Sequence, residues 1–350
     1  MSYTILVLTI TLVIIYYLYT HYNYEGFNNN KRLTLVPRLY TEACDLLKIP
    51  YKITDLAKSR LLISDGNKEI FVAQLYNTFN SNSVLKLAKN KYKTFLLLDQ
   101  HNIPVPTAQL FENINNDDIY KIYDNIKIPY PIVIKQLSGA NGAHVYVDIR
   151  NKRQAINTIV KLIADKRKDI IVEKFIKGSD YRVLVFNHEV LDVIHRPKPN
   201  IIGDGINTIK HLVAVKNIEN NKRGLHPLII DYDYLNKRNI NIYEIPILNK
   251  KVVVNPLTNF HQGSYPQRIN LNEIHPDNIK LFSQISKLMG LEFAGIDYLS
   301  PNIRKSYHSI GNTSAINEIN GLPNLDIHYY ADMKKNNDVV VKILKSYFKS

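Results

Sequence analysis

The sequence predicts an α+β protein in which a small α/β unit precedes a larger body of strands and helices, with one apolar helix ahead of both. Three observations carry that expectation. Residues Tyr3 to Tyr22 contain no Asp, Glu, Lys or Arg. Arg60–Ser64, Asp65-Gly66-Asn67 and Glu69–Ala73 pair two β-prone runs with turn residues between them, the pattern of a hairpin. From Asn90 on, a helical segment is followed by apolar runs that end in charged residues, such as Tyr130–Gln136 and Asp169–Ile176.

The apolar N-terminal stretch comes first. Its core, Ile5 to Ile15, is interrupted only by threonines, and tyrosines cluster from Tyr16 to Tyr24 as an interfacial aromatic belt would. About 20 such residues span a bilayer as a helix. A cleaved signal peptide would need a basic n-region and a small-residue cleavage site, and neither is present. The expectation is an uncleaved transmembrane anchor over 1–22. Lys31 and Arg32 follow the span and no basic residue precedes it. The positive-inside rule then predicts a single-pass membrane protein with its main body on the cytosolic side.

An Asn-rich linker over 23–32 leads into a small α/β domain expected over 33–88. Leu33–Val36 reads as a strand, Arg38–Leu47 as a helix and Tyr51–Thr54 as a second strand, followed by the hairpin. None of these segments carries a catalytic pattern, and packing is their expected role. The remainder, 89–349, forms the larger domain and ends in a helix over Asp338–Phe348 with an apolar stripe.

Composition narrows the function classes. One cysteine, Cys44, excludes an internal disulfide and a cysteine metal site. The formal net charge of +14 suits polyanionic partners such as nucleotides. Its basic residues are scattered, however, and no nucleic-acid-binding motif accompanies them, so no nucleic acid is expected as a partner. Ile, Asn, Lys and Tyr are plentiful and Trp is absent, the bias that AT-rich coding produces.

Candidate chemistry lies in three places. Asn90–Thr94 opens a helix that starts with Lys91. Tyr130–Gln136 is a buried strand carrying Lys135, and a buried ammonium demands a partner, for which a phosphate oxygen would serve. The small-residue loop that follows, Ser138-Gly139-Ala140-Asn141-Gly142, can wrap backbone amides around a phosphate, though a plain hairpin turn explains it equally well. Near the C-terminus, Glu318 and Asn320 are two apart on a strand and so share a face, with Ile319 turned inward. If Asp297 sits on a neighbouring antiparallel strand, three oxygen donors converge, a set suited to Mg²⁺. Two ordinary strands with solvated polar residues fit the same pattern.

The order of these features resembles the ATP-grasp superfamily. More narrowly, it is similar to the ATP-grasp module of cyanophycin synthetase and of the fused glutathione synthetases. The strings that carry the resemblance are Val172-Glu173-Lys174-Phe175-Ile176-Lys177-Gly178-Ser179-Asp180-Tyr181-Arg182, Arg196-Pro197, Gly203-Asp204-Gly205, Ala294-Gly295-Ile296-Asp297 and Asn317-Glu318-Ile319-Asn320-Gly321. The resemblance implies an ATP-grasp fold, two α/β subdomains gripping ATP, after a small preceding domain. It implies ATP and two Mg²⁺ ions as cofactors, with Mn²⁺ able to substitute. Lys91 and Lys135 would hold phosphate oxygens, and Ser138, Gly139 and Gly142 would close over them. Glu173, Lys174, Phe175 and Ile176 would bind adenine and Asp180 the ribose. Asp297, Glu318 and Asn320 would carry the metals, and Arg182 and Arg196 would lie near the acceptor carboxylate.

The implied function is an ATP-dependent carboxylate–amine ligase that forms an amide through an acyl phosphate, with a small-molecule or peptide carboxylate and amine as partners. A membrane-tethered ATP-binding module without catalysis is the alternative. One departure bears on the choice: Asn255 and Pro256 stand where the related modules carry an arginine, and Lys250, Lys251 and Arg268 are the candidates to replace it. No Mur-ligase-like half follows the matching region, so a complete cyanophycin synthetase is not expected.

Overall fold

The structure is a computed structural model, and it describes residues 32–137, 143–258, 260–333 and 336–349. The described residues divide into two compact units, one within 32–79 and 340–349 and one within 80–339.

In the first unit, α1 (Leu35–Leu47) packs on an antiparallel sheet of β1 (Tyr51–Asp55), β2 (Arg60–Ser64), β3 (Glu69–Ala73) and β4 (Tyr76–Asn77). The helix buries Val36, Leu39, Tyr40, Ala43 and Cys44, a stripe at three- and four-residue spacing. Leu61, Ile63, Ile70 and Val72 alternate inward from β2 and β3 and complete the core. The hairpin forms as expected, with Ile63 opposite Ile70 and Gly66 in the turn at φ 94°. The strand expected over Leu33–Val36 is absent. Thr34 is the extended residue before α1, and the Val36 amide, one of the helix's unsatisfied first donors, bonds Gln74 Oε1 at 3.1 Å. The C-terminal helix Asp338–Lys349 joins this unit from residue 340 on, and there its Tyr347 hydroxyl donates to the Glu69 carbonyl at 3.1 Å.

The second unit holds three sheets. Helices α2 (Asn82–Lys89) and α3 (Lys91–Gln100) lead in, and Asn90 caps α3 by accepting from the Lys93 amide. A four-stranded antiparallel sheet follows, with order β5 (Ala108–Phe111), β8 (Ile170–Lys174), β6 (Ile132–Gln136), β7 (Val145–Ile149). One face buries Ile132, Ile134, Ile149, Ile170 and Val172 against Ala155, Ile159 and Leu162 of α4 (Lys152–Ala164). Period-two alternation turns Val133, Lys135, Ile171 and Glu173 to the other face.

The largest sheet has the order β13 (Gln267–Ile269), β10 (Glu189–Arg196), β9 (Ser179–Phe186), β14 (Phe293–Ser300), β15 (Ala315–Asn320). Tyr181, Val183, Val185, Val193, Ile296, Tyr298, Ile316 and Ile319 form its core face, together with Leu281, Phe282, Ile285 and Met289 of the helix Pro276–Met289. A small third layer joins β11 (Asn200–Ile202) and β12 (Lys251–Val253) to the helix Ile209–Arg223 through Ile201, Ile209, Val213, Val252 and Val254.

The membrane expectations are corrected. The anchor expected over 1–22 lies outside the described residues. Among the described residues no helix is long and apolar enough to cross a membrane. The longest of them, Ile209–Arg223, has 15 residues and carries Lys, Arg, His and Glu side chains. At 1.5 Å per residue it reaches only about 22 Å, short of the ~30 Å hydrocarbon layer. Over the described residues the fold class is therefore α+β with no helix able to cross a membrane, and single-pass membrane placement, with the membrane as a partner, is withdrawn.

Candidate active site

Register on the five-stranded sheet builds the site. Arg182 of β9 is opposite Asp297 of β14, which is opposite Glu318 of β15. Asp180, two residues before Arg182, is opposite Arg196 of β10. Residues directly opposite share a face, so Asp180, Arg182, Arg196, Asp297 and Glu318 all project from the side away from the apolar core.

A bulge makes this arrangement possible. Strict alternation along β15 would put Ile316 on the same face as Glu318. Between the Asp297–Glu318 and Tyr298–Ile316 pairs the register shifts by one, and Asn317 is the extra residue. Ile316 and Ile319 are therefore both buried although they are three apart, while Asn317, Glu318 and Asn320 stay half-buried. Bulges re-aim side chains in this way beside active sites.

The charged groups are paired. Arg182 Nε lies 2.5 Å from Asp297 Oδ1, and its Nη2 lies 3.2 Å from Oδ2. Arg196 Nη2 reaches Asp180 Oδ1 at 2.6 Å and Asp297 Oδ2 at 3.1 Å. The Thr258 hydroxyl donates to the other Asp180 oxygen. Burial disfavours ionised Asp297, but Arg182 and Arg196 outweigh it and hold the carboxyl below the usual carboxylate range. For Arg196 too, burial opposes the charge, and Asp180 and Asp297 more than reverse it. Gly295 makes room for this: a Cβ there would sit 2.8 Å from Pro323 Cβ and 3.0 Å from Arg182 Nη1.

Two of the sequence-predicted lysines are also paired with carboxylates. Lys91 Nζ stands 3.5 Å from Glu318 Oε1. Lys135 Nζ and Glu173 Oε1 form an ion pair of 2.8 Å, with their side chains only 5% and 2% exposed. Lys135 Nζ also lies 5.4 Å from the centre of the Phe95 ring. Lys91 and Phe95 are one turn apart on α3, so they share a helix face. That face runs from Glu318 on the five-stranded sheet to Lys135 on the four-stranded one. The two sequence-predicted lysines and the late acidic residues thus lie around one region, bridged by α3.

The loop Ser138 to Gly142, with the predicted phosphate contacts Ser138, Gly139 and Gly142, lies outside the described residues. At the predicted adenine segment, the Lys174 amide donates to Thr107 O at 2.9 Å and the Phe175 amide to Pro131 O at 3.1 Å. Ile176 is buried next to them. Asn255, which replaces the expected arginine, is buried and spends its amide on the backbone: Nδ2 donates to Ile229 O at 3.0 Å, and Oδ1 accepts from the Leu257 amide at 3.0 Å. Of the three candidate replacements, Lys250 and Lys251 are exposed. Arg268 is opposite Ile194, itself opposite Arg182, so it lies on the site face. Its Nη2 is held 3.2 Å from Asp192 Oδ2 and donates to His328 O at 2.7 Å.

Sequence reasoning missed Thr258, Asp192 and His328. Asp192 carried a signal, since Asp192, Ile194 and Arg196 alternate on one strand. Thr258 and His328 reach the site only through folding, His328 by its 2.9 Å contact from Nδ1 to Asp192.

The residues present fit divalent metal. Asp297 and Glu318 face each other across neighbouring strands, Asn320 is two residues along, and hard oxygen donors of this kind suit Mg²⁺. The Arg196 Nε is buried with no protein acceptor and points to the same locality as a place for a further anionic group.

Two antiparallel sheets bridged by a lysine-bearing helix, with acidic groups on the last strands, define an ATP-grasp fold. Residues 88–201 match the model of the RimK-like ATP-grasp domain. The chain is 29% identical over 328 residues to a cyanophycin synthetase of Synechocystis, covering 89% of this chain and 36% of the relative. It is 26% identical over 320 residues to the glutathione biosynthesis bifunctional protein GshAB of Clostridium perfringens, covering 86% of this chain and 39% of the relative. The chain therefore spans little more than a third of the length of these curated relatives. Among solved structures, a bifunctional glutathione synthetase from Pasteurella multocida shares the fold, with a TM-score of 0.65 at 21% identity, covering 91% of this chain and 44% of that one.

Proposed function

We propose that this chain is an ATP- and Mg²⁺-dependent carboxylate–amine ligase. The observation that supports it most is the convergence around α3 of Lys91, Lys135, the Arg182–Arg196–Asp297 cluster and Glu318. The three carboxylates Asp180, Asp297 and Glu318 are matched by Arg182, Arg196 and Lys91. A triphosphate with about four negative charges enters such a balanced site best with about two divalent ions. Asp297, Glu318 and Asn320 would hold those ions, which supply charge neutralisation during phosphoryl transfer.

Lys91 and Lys135 bind phosphate oxygens, each exchanging part of its present carboxylate contact. Backbone groups at Ile176 and beyond meet the adenine edge, since the two preceding amides are already engaged. Arg182 and Arg196 orient the acceptor carboxylate. A carboxylate oxygen of the acceptor attacks the γ-phosphorus, and ADP leaves. The amine nitrogen then attacks the acyl carbon, phosphate leaves, and the amine gives up a proton. Shielding the acyl phosphate from water falls to the loop after Lys135. Arg268, fixed on the site face by Asp192 and the His328 carbonyl, takes the anion-stabilising place that Asn255 has lost.

A second reading, an ATP-binding module without turnover, is favoured by one observation: Asn255 points its amide at backbone instead of a substrate. Measuring ADP release over a panel of amino acids and short peptides separates the two. Acceptor-stimulated release that Glu318→Ala abolishes supports the ligase. ATP binding with no stimulation across the panel supports the module.

A further inference from the structure

His226, His261 and Asp326 lie outside the nucleotide cleft and come from three separate segments. His226 precedes Pro227 in the turn after the helix Ile209–Arg223, His261 sits in the single turn Phe260–Gln262, and Asp326 begins the short helix Asp326–Tyr329. His226 Nε2 and His261 Nδ1 are 3.0 Å apart, and one ring nitrogen from each histidine and one Asp326 carboxylate oxygen all lie within 4.8 Å of one another. The imidazole rings meet edge to face, 4.5 Å between centres, with Phe260 4.8 Å from His226 on another side.

We infer that these three side chains form a site for one zinc-class divalent ion, separate from the magnesium donors of the cleft. The donor set is the argument. Two imidazole nitrogens and a carboxylate oxygen match the ligands of first-row ions such as Zn²⁺, whereas Mg²⁺ prefers oxygen alone. Geometry agrees. Two nitrogens on a tetrahedral zinc, each about 2.05 Å from the ion, stand about 3.3 Å apart. The observed pair needs to open by only a few tenths of an ångström, the Asp326 oxygen, now within 4.8 Å, draws in to complete the set, and three protein ligands leave a fourth position for water or an anionic ligand.

The surroundings hold the ligands in place. Asn220 Nδ2 donates to the His226 carbonyl at 3.1 Å, and the Ile327 amide donates to Asp326 Oδ1 at 2.6 Å. Gly263, at φ 86°, lets the His261 turn approach closely: a Cβ there would lie 2.5 Å from Leu228 Cα. The Ile229 amide donates to Gln262 O at 3.2 Å across the same contact.

The test is titration of the chelator-stripped, untagged full chain with zinc chloride. Calorimetry is expected to give one tight site per chain, with a zinc-dependent rise in the thermal midpoint. His226→Gln and Asp326→Asn are each expected to weaken that site at least tenfold while matching the parent's circular dichroism and midpoint in zinc-free buffer. Cobalt(II) in place of zinc is expected to give the visible spectrum of tetrahedral nitrogen–oxygen coordination. An absent tight site, or a tight site that both variants keep at parent affinity, overturns the inference. So does a cobalt spectrum of six oxygen ligands.

Discussion

Replacing Lys135 with methionine tests the proposed nucleotide site and the physics of its most buried charge pair together. Lys135 and Glu173 are 2.8 Å apart with side chains 5% and 2% exposed. Removing the ammonium leaves a buried carboxylate without the ammonium that pairs with it. Breaking such a pair costs about 3–5 kcal/mol, because the remaining ion keeps its desolvation penalty and loses the attraction that offset it. The unfolding constant should then rise by roughly two to four orders of magnitude. Replacing both partners, as Lys135→Met with Glu173→Leu, removes both ions and should restore most of that loss. The protein has no tryptophan, so urea unfolding is best followed by far-UV circular dichroism, with hydrogen exchange of the β6 and β8 amides to localise the change. The double variant also probes function, since it tests the Lys135–Glu173 pair in a stable background. ATP affinity by calorimetry should fall at least tenfold in it. A single variant within about 1 kcal/mol of the parent would refute the buried-pair argument. A double variant that binds ATP like the parent would refute the phosphate role of Lys135.

Other consequences are quicker to check. Gly295→Ala places a methyl group 2.8 Å from Pro323 Cβ and 3.0 Å from Arg182 Nη1, so overpacking should cost about 1–3 kcal/mol and raise the acceptor KM more than the ATP KM. Equal effects on both would refute the link from Gly295 to Arg182. Asp204 accepts bonds from the Asn207 amide, the Asn207 side chain and the Ile206 amide, which lowers its pKa to about 2. A group depressed in the folded state contributes stability that is present above its unfolded pKa and lost as pH falls through the folded one. The loop Gly203–Asn207 should therefore loosen only between about pH 4 and pH 2, and an NMR titration midpoint near the ordinary aspartate value would contradict this. Cys44 is fully buried in the first unit, and burial, then nearby Asp45, pushes its thiol up to about 12. Thiol reagents should modify it only at the rate at which that unit opens; immediate labelling at neutral pH would show the packing of α1 to be wrong.

Much of this molecule is legible in short windows. Asn90 followed by Lys93 marks the start of α3, Asp65-Gly66-Asn67 marks the β2–β3 turn, and the apolar run before Lys135 marks β6. Each depends on neighbours within a few residues. Leu33–Val36 misled for the same reason: β-prone residues suggest a strand, but Val36 belongs to the stripe with Leu39, Tyr40 and Ala43 that α1 buries. Tertiary burial outweighed local propensity there.

The order and identity of the chemistry-bearing residues, and hence the resemblance to ATP-grasp ligases, were determined by the sequence alone. What only the tertiary structure decided is who neutralises whom. Asp297 meets Arg182, 115 residues away, because β9 and β14 pair in one register, and Asn317 is bulged out so that Glu318 can join them. His226, His261 and Asp326 meet through two long loop closures that no spacing announces. A window of sequence carries propensity and periodicity, which act over a few residues. Charge pairing acts over a few ångströms in space, and only the folded chain sets those distances.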